Sequence, residues 1–175
     1  MKPLYHLRHR QGHSLTELLL VMALLLFFGT ASFTLMAAGN RASQQVMDQQ
    51  QAQSQLRTAA AYLNTRLRQQ DSQGGVALQV HPETGEKALV LTEDYFGETW
   101  ETWVYHREGT LREVQVLPGD PVRDDFSFEI AQVDTFEVTM SETGTLHFQM
   151  SVLTEEHTLN RSGVYQLKAG GLRME

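Results

Sequence analysis

The chain has 175 residues, no cysteine, and 14 Lys/Arg against 21 Asp/Glu, a formal net charge of −7. Without cysteine a disulfide framework is excluded, so any core must come from packing alone. The acidic balance argues against recognition of nucleic-acid phosphates.

Residues 1–12 carry Lys2, Arg8 and Arg10 and no acid, a short tail of charge +3. The positive-inside rule places such a tail in the cytoplasm and the rest of the chain on the far side of the membrane. From Leu18 to Ala38 there is no charged residue, and only Thr30, Ser32 and Thr34 carry hydroxyls. A helix of about 21 residues rising about 1.5 Å each crosses a hydrocarbon core of about 30 Å. The hydroxyls are compatible with that helix because they can bond back to its own carbonyls. The run is longer than a secretory signal needs, and the processing point, Gly12, lies before it rather than after it. One carboxylate, Glu17, stands at its lip, where an ionisable group is costly and a functional candidate by default.

A basic leader ending in Gly12, a glutamate five positions on at Glu17 and about twenty apolar residues together resemble the prepilin signature of type IV pilins and type II secretion pseudopilins. The resemblance makes His13 the first mature residue and Ser14, Leu15 and Thr16 the slots before the glutamate. It implies cleavage between Gly12 and His13 by a prepilin peptidase, methylation of the new amino terminus, and extraction of the helix from the bilayer into a filament. Implied partners are that peptidase, other pilin or pseudopilin subunits, the membrane platform protein of the assembly machine, and lipid before assembly. The chain departs from the family at His13, where an apolar residue is usual. It also has Thr34 where major pilins often carry a proline, which favours a minor subunit.

Glu17 has a physical role of its own. A carboxylate beside hydrocarbon needs a cation or hydrogen-bond donors to offset its desolvation. After cleavage the α-amino group of its own or a neighbouring subunit is the nearest candidate, so pairing would fix register between subunits. The alternative is a plain signal anchor in which Glu17 sits in the headgroup zone at the positive end of the helix dipole.

Beyond Gly39 a glutamine-rich stretch runs through Gln44, Gln45, Gln49, Gln50, Gln51, Gln53 and Gln55. Leu56, Ala60, Leu63 and Leu67 then recur at helical spacing, with Arg57, Arg66 and Arg68 on the other sides. A low-complexity linker is the alternative for the glutamines; the stripe that follows in phase favours one continuous helix to about Gln70. Residues 71–75, ending in Gly74-Gly75, stop it with glycines that can take positive φ.

After Gly75 the period becomes two. Strands are predicted over residues 76–81, 87–92, 100–107, 110–116, 126–130, 136–141, 145–152 and 164–168, with turns at Pro82–Glu86, Glu108–Gly109 and Glu142–Gly144. Helix segregated from a mostly antiparallel sheet means an α+β fold, the apolar stripe covering the buried face of the sheet. The aromatic cluster Tyr95, Phe96, Trp100, Trp103 and Tyr105 reads as core rather than a ligand platform. The expected organisation is a leader (1–12), a membrane and filament-core helix (13–39), its soluble continuation (40–73) and a β-rich head (74–175). The hairpin over residues 104–112 also resembles that of minor pseudopilins of the J type and related minor pilins.

The chemistry-bearing residues form no known constellation. His81, His106, His147 and His157 fall on or beside different strands without ligand spacing, and read as surface histidines. Asp120, Asp124 and Asp125 could collect Ca²⁺, but without a calcium-loop spacing they read as a solvated acidic turn. Asn160-Arg161-Ser162 fits a glycosylation sequon. No nucleophile elbow, phosphate loop or nucleotide fingerprint occurs, so an enzyme is not expected and neither is a cofactor or metal. The expected function is that of a minor pilin or pseudopilin in a pilus-like, competence or secretion filament. The alternatives are an uncleaved membrane-anchored binding module and, third, an anchored extracytoplasmic enzyme.

Overall fold

A computed structural model describes residues 13–70 and 75–168. They form one helix, α1 (His13–Gln70), followed by eight strands. In order these are β1 (Val76–Val80), β2 (Lys87–Tyr95), β3 (Glu98–Arg107), β4 (Thr110–Val116), β5 (Phe128–Gln132), β6 (Thr135–Met140), β7 (Thr145–Leu153) and β8 (Thr158–Gln166). The chain divides into two compact units after Val46. The first holds the start of α1, and the second holds the rest of α1 and all the strands.

In the second unit, β1 to β5 make a five-stranded antiparallel meander and β6 to β8 a three-stranded one. The architecture is therefore α+β, as the change of period predicts. Ala52, Leu56, Ala59, Ala60, Leu63 and Leu67 are the buried apolar face of α1, a stripe at i, i+4, i+7, i+8, i+11 and i+15. This stripe joins one core with Leu89, Leu91, Val104 and Leu111 of the larger sheet and Phe136, Val138, Leu146, Phe148 and Met150 of the smaller. A second cluster lies on the opposite face of the larger sheet, where Ala88, Val90, Trp103, Tyr105 and Val114 pack under Val122. Because β2 and β3 are covered on both faces, their central residues are an unbroken buried run rather than an alternation.

The Glu108–Gly109 turn forms as predicted, with φ of 50° and 75°, the pattern of a tight type I′ hairpin. Gly75 has a requirement of its own: a Cβ there would meet the Thr92 carbonyl oxygen at 2.4 Å. Close backbone approach, with the Thr92 N–H donating to the Gly75 carbonyl at 2.7 Å, is what requires glycine. Gly74 lies outside the described residues. The last strand starts at Thr158, six residues before the predicted 164, because Asn160, Arg161 and Ser162 hide it. Gly163 lies within it and allows the Phe148 ring to sit where a Cβ would be. Phe126 belongs to a short 3-10 turn (Asp124–Phe126) rather than to β5.

Candidate functional site

The amino-terminal part of α1 is apolar on every side. Consecutive helix positions turn by about 100°, so the run from Leu18 to Phe28 leaves no polar face. Every residue from Leu15 to Gln50 is exposed except Ala37. Fourteen large apolar side chains between Leu15 and Met36 are each at least half exposed. Covering side chains of this kind gains about 1.5–3 kcal/mol apiece, so the set is worth about 20–40 kcal/mol if buried. The Thr30 and Thr34 hydroxyls donate to the Phe27 and Ala31 carbonyls, each at 2.9 Å, which leaves Ser32 as the other side-chain hydroxyl between Leu18 and Ala38. This helix is long and apolar enough to span a membrane.

Of the predicted processing and assembly residues, Gly12 lies outside the described residues. His13 begins α1. Glu17 lies one turn further on, exposed, directly before the apolar run.

Within the head, the far end of α1 is fastened by a polar cluster that the sequence reading did not identify. Arg66 reaches Glu93 of β2 at 3.4 Å and Glu113 of β4 at 3.3 Å. Tyr62 donates its hydroxyl to Glu113, and the Gln70 amide donates to Glu93. Burial, followed by the Glu113 carboxylate, pushes the Tyr62 phenol above its ordinary value despite Arg66 beside it. Tyr62, Arg66 and Gln70 recur every four residues beside the Leu56–Leu63–Leu67 stripe. That spacing is the signal which could have revealed a polar edge to the buried face.

The opposite face of the larger sheet is closed by Asp124. It accepts the Tyr105 hydroxyl at 2.7 Å and the Ser127 hydroxyl at 3.3 Å. Arg112 and Arg107 lie at 3.3 and 3.4 Å from its other oxygen. Burial alone would raise its pKa, but these donors outweigh it and hold Asp124 below the usual carboxylate range. Tyr105, buried and facing that carboxylate, is pushed up to about 12. Asp125 pairs with Arg123 at 3.1 Å. At Asp124 the acidic loop is thus not a solvated turn, because its carboxylate is engaged by protein donors. Among the described residues no group of three or more His, Asp or Glu could hold a metal ion.

The histidines divide. His147 and His157 are exposed, as expected. His81 is fully buried, which corrects the surface reading. Its Nδ1 accepts the N–H groups of Glu83 at 3.3 Å and Thr84 at 3.2 Å, so the neutral ring carries its proton on Nε2. The ring lies against Tyr105 with centroids 4.2 Å apart and meets Trp103 edge-on. Burial holds His81 below its ordinary value, with Arg107 acting in the same sense against Glu83 and Asp124. His106 Nε2 lies 3.0 Å from the Val133 carbonyl. The aromatic cluster divides as well: Trp103 and Tyr105 are core, whereas Tyr95 and Phe96 are exposed.

One open groove of about 260 Å³ lies between α1 and the end of β7, lined by Asp48, Gln51, Ala52, Gln55, Gln132, Val152, Leu153, Thr154 and Glu155. Gln55 Oε1 already accepts the Gln132 N–H at 3.0 Å, and Thr154 donates to the His157 carbonyl at 2.7 Å. Its walls hold no histidine, serine or lysine to pair as base and nucleophile.

Fold and site thus define a β-rich α+β head whose helix continues into a segment of membrane-spanning length. The chain belongs to the family described as Domain of unknown function (DUF4860), which matches residues 54–152, more than half of its length. The match runs from the buried stripe of α1 to β7 and leaves out the apolar run. Neither the curated proteins nor the solved structures give a match.

Proposed function

We propose that this protein is a minor pilin or pseudopilin, a structural subunit of a type IV pilus-like, competence or type II secretion filament. The observation that carries this reading is the apolar run of α1, bare on every side, with a single carboxylate, Glu17, before it and a basic leader ending in Gly12. A lipid bilayer covers such a surface before assembly, and the packed helices of sibling subunits cover it afterwards. A prepilin peptidase cuts after Gly12, the platform protein of the assembly machine draws the helix out, and the head emerges on the far side of the membrane.

In this reading Glu17 pairs with the amino terminus of a neighbouring subunit. The two charges offset each other's desolvation as water is excluded between helices, and a subunit out of register leaves both unpaired. Glu17→Val tests the pairing. The variant inserts in the membrane at wild-type level, because it gains apolar surface, and its recovery in sheared filaments falls at least about tenfold, the factor corresponding to 1.4 kcal/mol. Filament incorporation at wild-type level would defeat the pairing.

A further inference from the structure

The β2–β3 and β3–β4 hairpins turn in the same way with different residues. Phe96 and Gly97 have φ of 52° and 90°; Glu108 and Gly109 have 50° and 75°. A type I′ turn needs positive φ at both central positions, and Asn or Asp before Gly meets that demand with least strain. Phenylalanine there is unusual. Phe96 as a residue is 107% exposed, so the head recovers no packing from it. Backbone strain and apolar exposure coincide at one residue, and neither benefits the isolated fold.

Phe96 is the apex of a larger apolar corner. Glu93 and Glu113 face α1, since both pair with Arg66. Trp100 is the cross-strand partner of Glu93, and Phe128 that of Glu113. Tyr95 stands two residues on from Glu93, so strand alternation puts Tyr95, Trp100 and Phe128 on the α1 side of the sheet. Tyr95, beside the tip, is 51% exposed, whereas Phe128 lies level with Val104, away from the tip. An aromatic side chain presents about 150–250 Å², so Phe96 with the half-exposed Tyr95 next to it offers about 300 Å², the scale at which exposed patches mark binding sites.

The rim selects the partner. Asp94 and Glu98 are exposed on either side of the tip, and Arg66 is engaged by Glu93 and Glu113. The described strands and loops, residues 75–168, carry 6 Lys/Arg against 17 Asp/Glu. Like charges across an interface are strongly unfavourable, which disfavours an anionic lipid surface. It also disfavours a second copy of this head, whose open groove itself carries Asp48 and Glu155. We infer that this corner, anchored by Phe96, docks a different protein that presents an apolar pocket rimmed by lysine or arginine. The inference is independent of whether α1 assembles into a filament.

The test uses the full chain in the cells that produce it, with Phe96→p-benzoylphenylalanine and, for comparison, the same substitution at exposed Phe126. Irradiation is expected to give one discrete protein adduct at position 96 and none at 126. Peptide mapping should place the adduct in an apolar site with Lys or Arg beside it. The double substitution Asp94→Lys, Glu98→Lys should lower the yield by about tenfold or more. An adduct with another copy of this chain or with lipid, absence of an adduct, or indifference to charge reversal would overturn the inference. Phe96→Asn separates docking from folding. Asn-Gly suits the turn, so the melting temperature should be unchanged or higher while the complex with the mapped partner is lost. A lowered melting temperature, or a complex that survives, would make Phe96 a residue of the fold alone.

Discussion

The two ends of α1 are built on opposite rules. From Ala52 to Leu67 the helix is amphipathic: its buried stripe lies on two sheets, and Arg57, Thr58 and Arg68 face water. From Leu18 to Phe28 it is apolar around its whole circumference and bare. The first pattern is satisfied inside the chain. The second is bare among the described residues, the kind of surface that lipid or other helices cover. A single helix therefore holds both what makes the head fold and what makes the protein leave water, and substitutions should separate the two.

Leu63→Ala is expected to have the largest effect on the head. Leu63 is fully buried in the shared core, and removing such a side chain costs about 2–5 kcal/mol. Leu25→Ala in the bare half should change the unfolding of the head by less than about 0.5 kcal/mol. Denaturant titration of the full chain in detergent compares the two, and equal costs would erase the distinction. Arg66→Ala comes next. It leaves the carboxylates of Glu93 and Glu113 without their shared cation, and because Arg66 and Glu113 are partly exposed the loss should be about 1–3 kcal/mol. A loss confined to the helix end, with the sheets still protected from hydrogen exchange, would sharpen the contrast further.

Acidification is the mildest probe. His81 titrates below its ordinary value of 6.5 in the fold, so the unfolded chain takes up its proton first. Above that value both states are neutral and His81 contributes no pH dependence. As pH falls below it, protonation favours the unfolded state and stability declines. Asp124, also held low, adds a second loss only below its ordinary value of 3.8. His81→Gln should flatten the first decline and leave the second, as read by thermal melts across pH. The bare half of α1 holds no histidine between Leu15 and Gln50, so its helicity in detergent should not follow the same curve.

What was legible in the sequence follows from the same physics. The stripe on α1 and the alternation of β4, β6 and β7 were readable because each buries one face against an apolar layer. The extent of β8 was not, since that strand is exposed on both sides of Arg161 and needs Gly163 only to admit Phe148. The β2–β3 turn was missed because Phe96-Gly97 lacks turn chemistry, whereas Glu108-Gly109 lies between two clear strands. His81 looked like surface polarity because its partners are backbone amides of its own turn and the ring of Tyr105, which comes 24 residues later. At the amino-terminal end composition alone gives the apolar run, and the structure shows its side chains exposed among the described residues.

The most direct measurement is the intact mass of the protein purified from membranes of cells with an active prepilin peptidase. A chain beginning at His13, with or without one methyl group, is the expected result. A chain that keeps residues 1–12 in cells where sibling prepilins are fully cleaved would contradict the pilin reading and leave α1 as a permanent anchor.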